Sequence, residues 1–378
     1  MSTLNPPRHD FVFTAQPARV RFAPGSLAHL PQEVEALGVR RALVLCTPQQ
    51  VETAERVSAL LGPLSAGVFS GAVMHVPIEA AREARAHANA VGADGAVAVG
   101  GGSTVGLGKA IALESPMPII AIPTTYAGSE MTPIYGITEA GVKKTGRDPR
   151  VLPRTVLYDP ELSAGLPVGL SVVSGMNAIA HAAEGLYARD GNPVMSLMAE
   201  EGIRAIAEGL RGIVAAPSNI GARSDCLYGA WLCGTVLGHV GMALHHKLCH
   251  TLGGSFNLPH AETHTVVLPH ALAYNAAAAP EAMQRIARAI GCDERDAPGG
   301  LFDLARALGA PTALREIGMP KDGLVRVADL ALASPYWNPR PLARDALMGL
   351  LHDAWEGRRP GTTHPSPLRP STGNRRYS

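Results

Sequence analysis

The sequence has almost no excess charge of either sign. Its 33 lysines and arginines are nearly matched by 32 aspartates and glutamates across 378 residues, leaving a formal net charge of +1. A nucleic-acid binder shows a strong basic excess, so that class is not expected. No apolar run is long enough to span a bilayer, and residues 1–10 contain no apolar core of the kind that marks a secretory signal. A cytoplasmic location is expected, with neither nucleic acid nor membrane as a partner. Cysteine is scarce: Cys46, Cys226, Cys233, Cys249 and Cys292 are dispersed and form no CxxC pair. That excludes a zinc-finger or disulfide framework and leaves free thiols. Aromatic residues make up only 4% of the chain, against 46% hydrophobic residues and 41 glycines. Such a composition supplies a large interior but fills it with small side chains, which suits closely packed helices and tight turns.

Short apolar runs alternate with alanine-rich stretches over the first part of the chain. Residues 42–46, 65–70, 95–99 and 119–122 read as strands, and residues 51–61, 78–91 and 103–113 as the helices between them. This alternation predicts a parallel, doubly wound sheet with right-handed crossovers. After Asp159-Pro160 strand-like runs become rare, and residues 172–187, 194–215, 222–242, 282–290, 302–308 and 321–333 read as helices. The expected organisation is an α/β, Rossmann-like nucleotide-binding domain over residues 1–160 and an all-helical domain over residues 161–356 that carries the substrate or metal site. Residues 357–378, rich in Pro, Arg, Ser and Thr, have little to bury and are expected to form a disordered tail.

Gly100-Gly101-Gly102-Ser103 directly follows one predicted strand and precedes a predicted helix. Glycine permits a sharp turn there and lets an anion approach main-chain N–H groups, while the following helix points its positive end at it. Ser103 suits an N-cap or a hydrogen bond to phosphate. The spacing is neither GxGxxG nor a Walker A loop, and a plain tight turn is the alternative. A second polar cluster, with Thr124, Thr125 and Ser129 inside PTTYAGSE, follows the strand ending at Ile122. Ligands of open α/β sheets bind beyond the carboxyl ends of strands, so both clusters are expected to face one cleft. In the helical half, Asn177 and His181 stand at i and i+4 and share a helix face. His245, His246, His250, His260, His264 and His270 then crowd a short segment, 6 of the chain's 14 histidines. That density points to metal binding or proton transfer.

Taken together, the glycine–serine turn, Pro123-Thr124-Thr125, the Asn177/His181 pair and the spacing of His246, His250 and His260 resemble the iron-containing (group III) alcohol dehydrogenases over about residues 10–355. The resemblance implies the fold that family shares with dehydroquinate synthase: an α/β N-terminal Rossmann-like domain with a parallel sheet, followed by an all-helical C-terminal domain. It also implies a homodimer. The implied cofactor is NADH or NADPH, with its pyrophosphate on Gly100, Gly101, Gly102 and Ser103 and with Thr124, Thr125 and Ser129 beside it. An iron or zinc ion is implied at Asn177, His181, His246 and His260, and His250 is placed near nicotinamide and substrate. Two positions depart from the family pattern. The usual aspartate ligand is Asn177, a neutral and weaker donor. The family's GGGSxxDxxK motif keeps Lys109 but carries Gly106 in place of its aspartate. Little tightly bound metal and activity after chelator treatment are therefore expected.

Both departures are shared with one branch. GGGSTVGLGKAIAL, PTTYAGSEMTPIYGITE, GRDPRVLPRTVLYDP, SGMNAIAHAAEGLYA and NPRP resemble the maleylacetate reductases. The branch implies NADH- or NADPH-dependent reduction of the carbon–carbon double bond of a small keto-dicarboxylate, maleylacetate, to 3-oxoadipate in bacterial breakdown of aromatic compounds. Hydride added β to the ketone leaves an enolate that must be stabilised and protonated. His246 and His250 are expected as oxyanion donor and general acid. Lys247, Arg147, Arg150 and Arg340 are candidate cations for the carboxylates. Three other readings stay open. A metal-dependent alcohol dehydrogenase or carbonyl reductase would oxidise simple alcohols. A dehydroquinate synthase-like lyase would give no net turnover of NADH. A non-catalytic ligand-binding protein is disfavoured by the density of polar groups.

Overall fold

The computed structural model describes residues 11–16, 18–140, 142–333 and 336–361. The predicted tail therefore lies mostly outside the described residues. The first half runs β1 (Arg19–Phe22), α1 (Leu30–Ala36), β2 (Ala42–Leu45), α2 (Val51–Leu61), β3 (Ser65–Phe69), α3 (Ile78–Ala90), β4 (Gly95–Gly100), α4 (Gly102–Ala112), β5 (Ile119–Pro123), β6 (Ile134–Glu139), β7 (Val142–Arg147) and β8 (Thr155–Tyr158). Six strands form one sheet in the order β1-β8-β5-β4-β2-β3, every neighbouring pair parallel. β6 and β7 form a separate antiparallel hairpin.

The sequence pattern explains the layering. Side chains alternate across a strand, and both faces of this sheet are apolar because helices cover both. Val44, Val97, Val99, Ile120 and Ile122 pack with Leu30 and Val34 of α1 and with Ala54 and Val57 of α2. Their neighbours Leu43, Leu45 and Ala96 turn the other way, onto Ala81 and Ala84 of α3 and Leu107 and Ile111 of α4.

From Val168 onward the regular elements among the described residues are helical: α5 (Val168–Gly185), α6 (Pro193–Ala215), α7 (Ile220–His239), α8 (Leu244–Phe256), α9 (His260–Asn275), α10 (Pro280–Ile290), α11 (Ala297–Ala307), α12 (Leu324–Leu332) and α13 (Arg344–Glu356). Small residues set the spacing. A Cβ at Gly202 on α6 would stand 2.8 Å from the Cys233 sulfur on α7, and one at Gly229 on α7 would stand 2.8 Å from the Gly202 carbonyl oxygen. Glycine is thus required for α6 and α7 to approach so closely. No single described helix is long and apolar enough to cross a membrane.

The two halves share one apolar core, in which Ala98, Tyr126 and Tyr158 of the first pack with Met176, Ile179, Ile203 and Leu227 of the second. Buried Arg223 of α7 ties them further. Its guanidinium donates to Ser171 Oγ (2.7 Å) and Tyr126 Oη (3.2 Å) and to the carbonyls of Leu166 and Pro217. A buried guanidinium is stable only when its donors are matched in this way.

Candidate active site

The glycine turn lies at the carboxyl end of β4. Gly100 adopts φ +150°, and a Cβ there would meet Gln50 Oε1 and Thr104 Oγ1 at 2.5 Å, so only glycine fits. Gly101 is the N-cap of α4, with no side-chain cap bond, so Ser103 sits in the first turn and not at the cap. The amides of Gly102 and Ser103, at the start of the helix, precede the first backbone bonds, which run from Thr104 and Val105 to the Gly101 carbonyl, and they form the positive end of the helix. The second polar cluster comes alongside. The Thr124 amide donates to the Gly100 carbonyl at 3.1 Å, Gln50 Nε2 donates to Thr124 Oγ1 at 2.8 Å, and a Cβ on Gly101 would touch the Thr125 side chain at 3.0 Å. Gly100, Gly101, Gly102, Ser103, Thr124 and Thr125 therefore share one rim.

Ser129 is occupied differently. Its carbonyl accepts from fully buried Lys109 Nζ at 2.6 Å, and that ammonium also donates to Thr132 O (2.8 Å), Thr132 Oγ1 (2.9 Å) and Ile134 O (2.7 Å). Lys109 thereby fixes the loop between β5 and β6. Burial pushes its ammonium down to about 7, opposed by the charge of Glu130.

Gly106 has a steric reason to be glycine. A Cβ there would stand 2.8 Å from Val76 Cγ2. Val76 and His75 hold φ of +46° and +67°, a conformation that costs a β-branched residue of order 1–3 kcal/mol. It is retained by Thr138, whose Oγ1 donates to the His75 carbonyl (2.8 Å) and whose amide donates to the Val76 carbonyl (3.0 Å). The segment before α3 thus fills the space that an aspartate at position 106 would need.

The chain next carries the rim to the histidines. The Tyr126 amide donates to Ser174 Oγ on α5 at 3.0 Å, and Asn177 and His181 follow on that helix. Rings from α5, α8 and α9 then gather. Centroid distances are 5.2 Å for His181–His246, 5.0 Å for His246–His264, 4.4 Å for His260–His264, 4.8 Å for His245–His264 and 6.2 Å for His246–His250. His270 is not part of the group and packs edge-on against Phe302.

At the base of the cluster lies Glu184, a fully buried residue that sequence reasoning did not single out. Its carboxylate accepts from His246 Nδ1 (2.7 Å) and from the backbone amides of Ala243 (2.9 Å), His245 (2.8 Å) and His246 (3.3 Å). It is bound to the positive end of α8 and sets the tautomer of His246 at once. Burial alone would raise its carboxyl, but the hydrogen bond and charge of His246 and the nearby backbone donors hold it at about 2. Burial, then the neighbouring rings, pushes His181 and His264 well below the ordinary imidazole range and His245 to about 3. Imidazoles that stay neutral keep lone pairs available.

The candidate cations separate. Arg147 donates to the Gly238 carbonyl at 2.5 Å. Arg150 is engaged by Asp148 at the surface. Arg340 donates to the Tyr274 carbonyl and lies 4.2 Å from the centre of the Tyr274 ring. Arg147 and Arg340 are committed to backbone carbonyls of the framework, and Arg150 to a surface pair. Lys247 is placed otherwise: it adjoins His246 on α8, with Nζ 5.6 Å from the centre of the Tyr336 ring, and no carboxylate pairs with it among the described residues. The NPRP segment holds the start of α8, since Asn338 Oδ1 accepts from the Leu244 amide (3.4 Å) and from Asn275 Nδ2 (3.0 Å).

Unpartnered donors gather here, but His181, His246 and His260 do not bring three donor atoms within reach of one ion; among the described residues the trio that does is His245, Cys249 and His264. Among the described residues, Asn177 Oδ1, His181 Nδ1, His246 Nε2 and His264 Nε2 are buried without a hydrogen-bond partner. The arrangement of Glu184 behind His246 is the one that orients a ligating imidazole. The substitution of amide for carboxylate at position 177 thus leaves a carboxylate one residue removed from the donors.

A glycine rim at the carboxyl ends of a parallel sheet, joined to a histidine cluster in a helical domain, agrees with the resemblance read from the sequence, and the chain belongs to the family of iron-containing alcohol dehydrogenases. Residues 17–160 match the model of the iron-containing alcohol dehydrogenase, and residues 171–355 match that of the family's C-terminal region. Within the family it groups with the maleylacetate reductases. It is 65% identical over 350 residues to maleylacetate reductase of Burkholderia cepacia, covering 93% of this chain and 99% of the relative. The solved maleylacetate reductase of Agrobacterium tumefaciens superposes with a TM-score of 0.90 at 56% identity, over 93% of this chain and 99% of that one. A Ralstonia eutropha structure described as an alcohol dehydrogenase gives 0.92 at 70% identity over the same shares.

Proposed function

We propose that this chain is an NADH- or NADPH-dependent reductase that converts maleylacetate to 3-oxoadipate in bacterial breakdown of aromatic compounds. The observation that carries this reading is the 65% identity to a maleylacetate reductase over nearly the full length of both chains. Gly106, with Val76 packed where a side chain would go, and Asn177, with an amide in place of an acid, support it against a simple alcohol dehydrogenase. The protein acts in the cytoplasm as a homodimer.

The reaction transfers hydride from the nicotinamide to the alkene carbon β to the ketone, forming the C–H bond while the π pair moves to the ketone oxygen as an enolate. The enolate collapses to the ketone as the neighbouring carbon takes a proton, giving 3-oxoadipate and the oxidised cofactor. The amides of Gly101, Gly102 and Ser103 hold the pyrophosphate against the positive end of α4. Lys247 meets a substrate carboxylate.

His246 is constrained by its tautomer. With Nδ1–H donated to Glu184, it presents a lone pair at Nε2 when neutral and an N–H donor only when protonated. The protonated ring, held by the Glu184 carboxylate, stabilises the enolate oxygen; a well-placed donor of this kind is worth about 3 kcal/mol. His250, one turn along α8, delivers the proton to carbon. A divalent metal would compete with this role, since a ligating His246 must be neutral, and His181, His246 and His260 do not bring three donor atoms within reach of one ion among the described residues.

The test is to mix the protein with maleylacetate and reduced nicotinamide and to identify the product. Net oxidation of the cofactor with formation of 3-oxoadipate supports the reading. Oxidation of simple alcohols without that activity would favour a metal-dependent alcohol dehydrogenase, and turnover without net change in the cofactor would favour a lyase.

A further inference from the structure

A buried phenol ordinarily finds a partner for its hydroxyl, because an unpaired polar group away from water is costly. The buried tyrosines of this chain follow that rule. Tyr126 Oη accepts from Arg223 (3.2 Å), and Tyr158 Oη donates to Glu130 (2.8 Å). Tyr187 Oη donates to Glu184 (3.4 Å), and Tyr274 Oη to the Pro341 carbonyl (2.8 Å). Tyr336 is the exception. Its ring is half-buried, and its Oη is buried with no hydrogen-bond partner among the described residues. Burial, then the charges of Glu184 and Tyr274, pushes this phenol up, so it keeps its proton and can donate.

The surroundings give that hydroxyl a use. Lys247 Nζ stands 5.6 Å from the centre of the Tyr336 ring, within the range at which a π face holds a cation. Because Oη has no partner, no hydrogen bond joins it to that ammonium, and both groups keep protons for a third. The stretch that carries Tyr336 is fixed to the helices of the site. Asn338 Oδ1 accepts from the Leu244 amide at the start of α8 (3.4 Å) and from Asn275 Nδ2 at the end of α9 (3.0 Å). Asn338 Nδ2 donates in return to Asn275 Oδ1 (2.8 Å) and to the Arg340 carbonyl (2.7 Å).

We propose that the Tyr336 hydroxyl is a substrate-binding group, donating to the same carboxylate that Lys247 meets. The inference rests on the reduction of a keto-dicarboxylate proposed above. A carboxylate offers two oxygens, so an ammonium and a neutral O–H can each take one. Lys247 supplies the charge, and the stiffer phenol fixes where the carboxylate sits. Glu184 does not bar an anion here, since its own charge is matched by His246 and three backbone amides. An unpartnered buried hydroxyl costs the free protein stability, and the bound carboxylate offsets that cost.

The experiment compares wild type, Tyr336→Phe, Lys247→Met and the double variant in maleylacetate reduction. NADH binding and urea unfolding are measured on each. Tyr336→Phe keeps the ring beside Lys247 and removes only the hydroxyl. Its KM for maleylacetate is expected to rise about 10- to 100-fold, as follows loss of a hydrogen bond to a charged group. The change in kcat should be smaller, and NADH affinity should hold. Its urea midpoint is expected to equal or exceed that of wild type, because the group removed has no partner in the free protein. Since both side chains grip one carboxylate, the double variant should raise KM by less than the product of the single effects. Wild type that reduces no maleylacetate would overturn the proposed reaction and this inference with it. With wild type active, four results would each overturn the inference alone: an unchanged KM in Tyr336→Phe, a loss confined to kcat, single effects that simply multiply, or a lowered urea midpoint.

Discussion

Lys247 carries the substrate side of the account almost alone. Arg147, Arg150 and Arg340 are held by Gly238, Asp148 and Tyr274 respectively, which leaves the lysine beside His246 as the cation able to meet a carboxylate. A hydrogen bond to a charged group is worth about 1.5–3 kcal/mol. Lys247→Met is therefore expected to raise the KM for maleylacetate by roughly 10- to 100-fold while NADH affinity stays unchanged. A fall in kcat with KM unmoved would instead make the lysine a donor to the reacting atoms. The cofactor side has its own residue-scale test. Gly101 already brings its α-carbon close enough to Thr125 that a Cβ would touch that side chain at 3.0 Å. The two extra methyl groups of Gly101→Val project onto the rim where the pyrophosphate is placed. Overpacking of this kind costs about 1–3 kcal/mol, so NADH binding should weaken about tenfold or more in a protein with wild-type circular dichroism. Undiminished binding would remove the pyrophosphate from this turn.

At the scale of elements, the decisive contact joins α5 to the start of α8 through Glu184. Its carboxyl is held at about 2, below its ordinary 4.5. A carboxyl lowered in the fold adds stability that is fully present above its unfolded value and is lost as pH falls through the folded value. Wild type should therefore lose, between about pH 4.5 and 2, a contribution that Glu184→Gln never has. Urea midpoints of the two proteins should differ most near neutrality and converge only as the pH falls to about 2. A gap that stays constant with pH would mean that the carboxylate charge is not what fixes α8.

Glu184 was legible only in retrospect. The one signal was an acid three residues after His181, in a stretch of α5 otherwise built from alanine, glycine and apolar residues. Helices α8 and α9 escaped sequence reading for a related reason. α9 is buried along most of its length and contains Pro269, so neither an apolar stripe nor an unbroken helical pattern marks it. Glycines at 253 and 254 interrupt α8 in the same way. By contrast α2 and β2 were plain, the first because one face is apolar, the second because a fully buried parallel strand reads as an unbroken apolar run. β1 carries Arg19 and Arg21 in its four residues, so no apolar run marks it, whereas β8 is as short and as fully buried as β2 and has no such reason to escape. His264 stands out in the sequence only as one of a crowd, because its ring is bonded to that of His245, 19 residues away, a pairing that spacing along the chain does not reveal.

For the whole molecule, the sheet and the helical half have to be read together. The sheet supplies the glycine rim proposed to hold the cofactor, α5, α8 and α9 supply the histidines, and Tyr126 bonded to Ser174 connects the two. Gly106 and Asn177 are the two positions at which this chain departs from the pattern expected of the family, and the proposed reduction is built on them together with Lys247. The most direct test follows reduced-nicotinamide absorbance after maleylacetate is added to the purified protein, with the product identified by mass. Stoichiometric loss of NADH or NADPH with one 3-oxoadipate formed per cofactor oxidised is the predicted result. Absence of cofactor oxidation with maleylacetate, in protein that binds the cofactor and oxidises simple alcohols, would contradict the account.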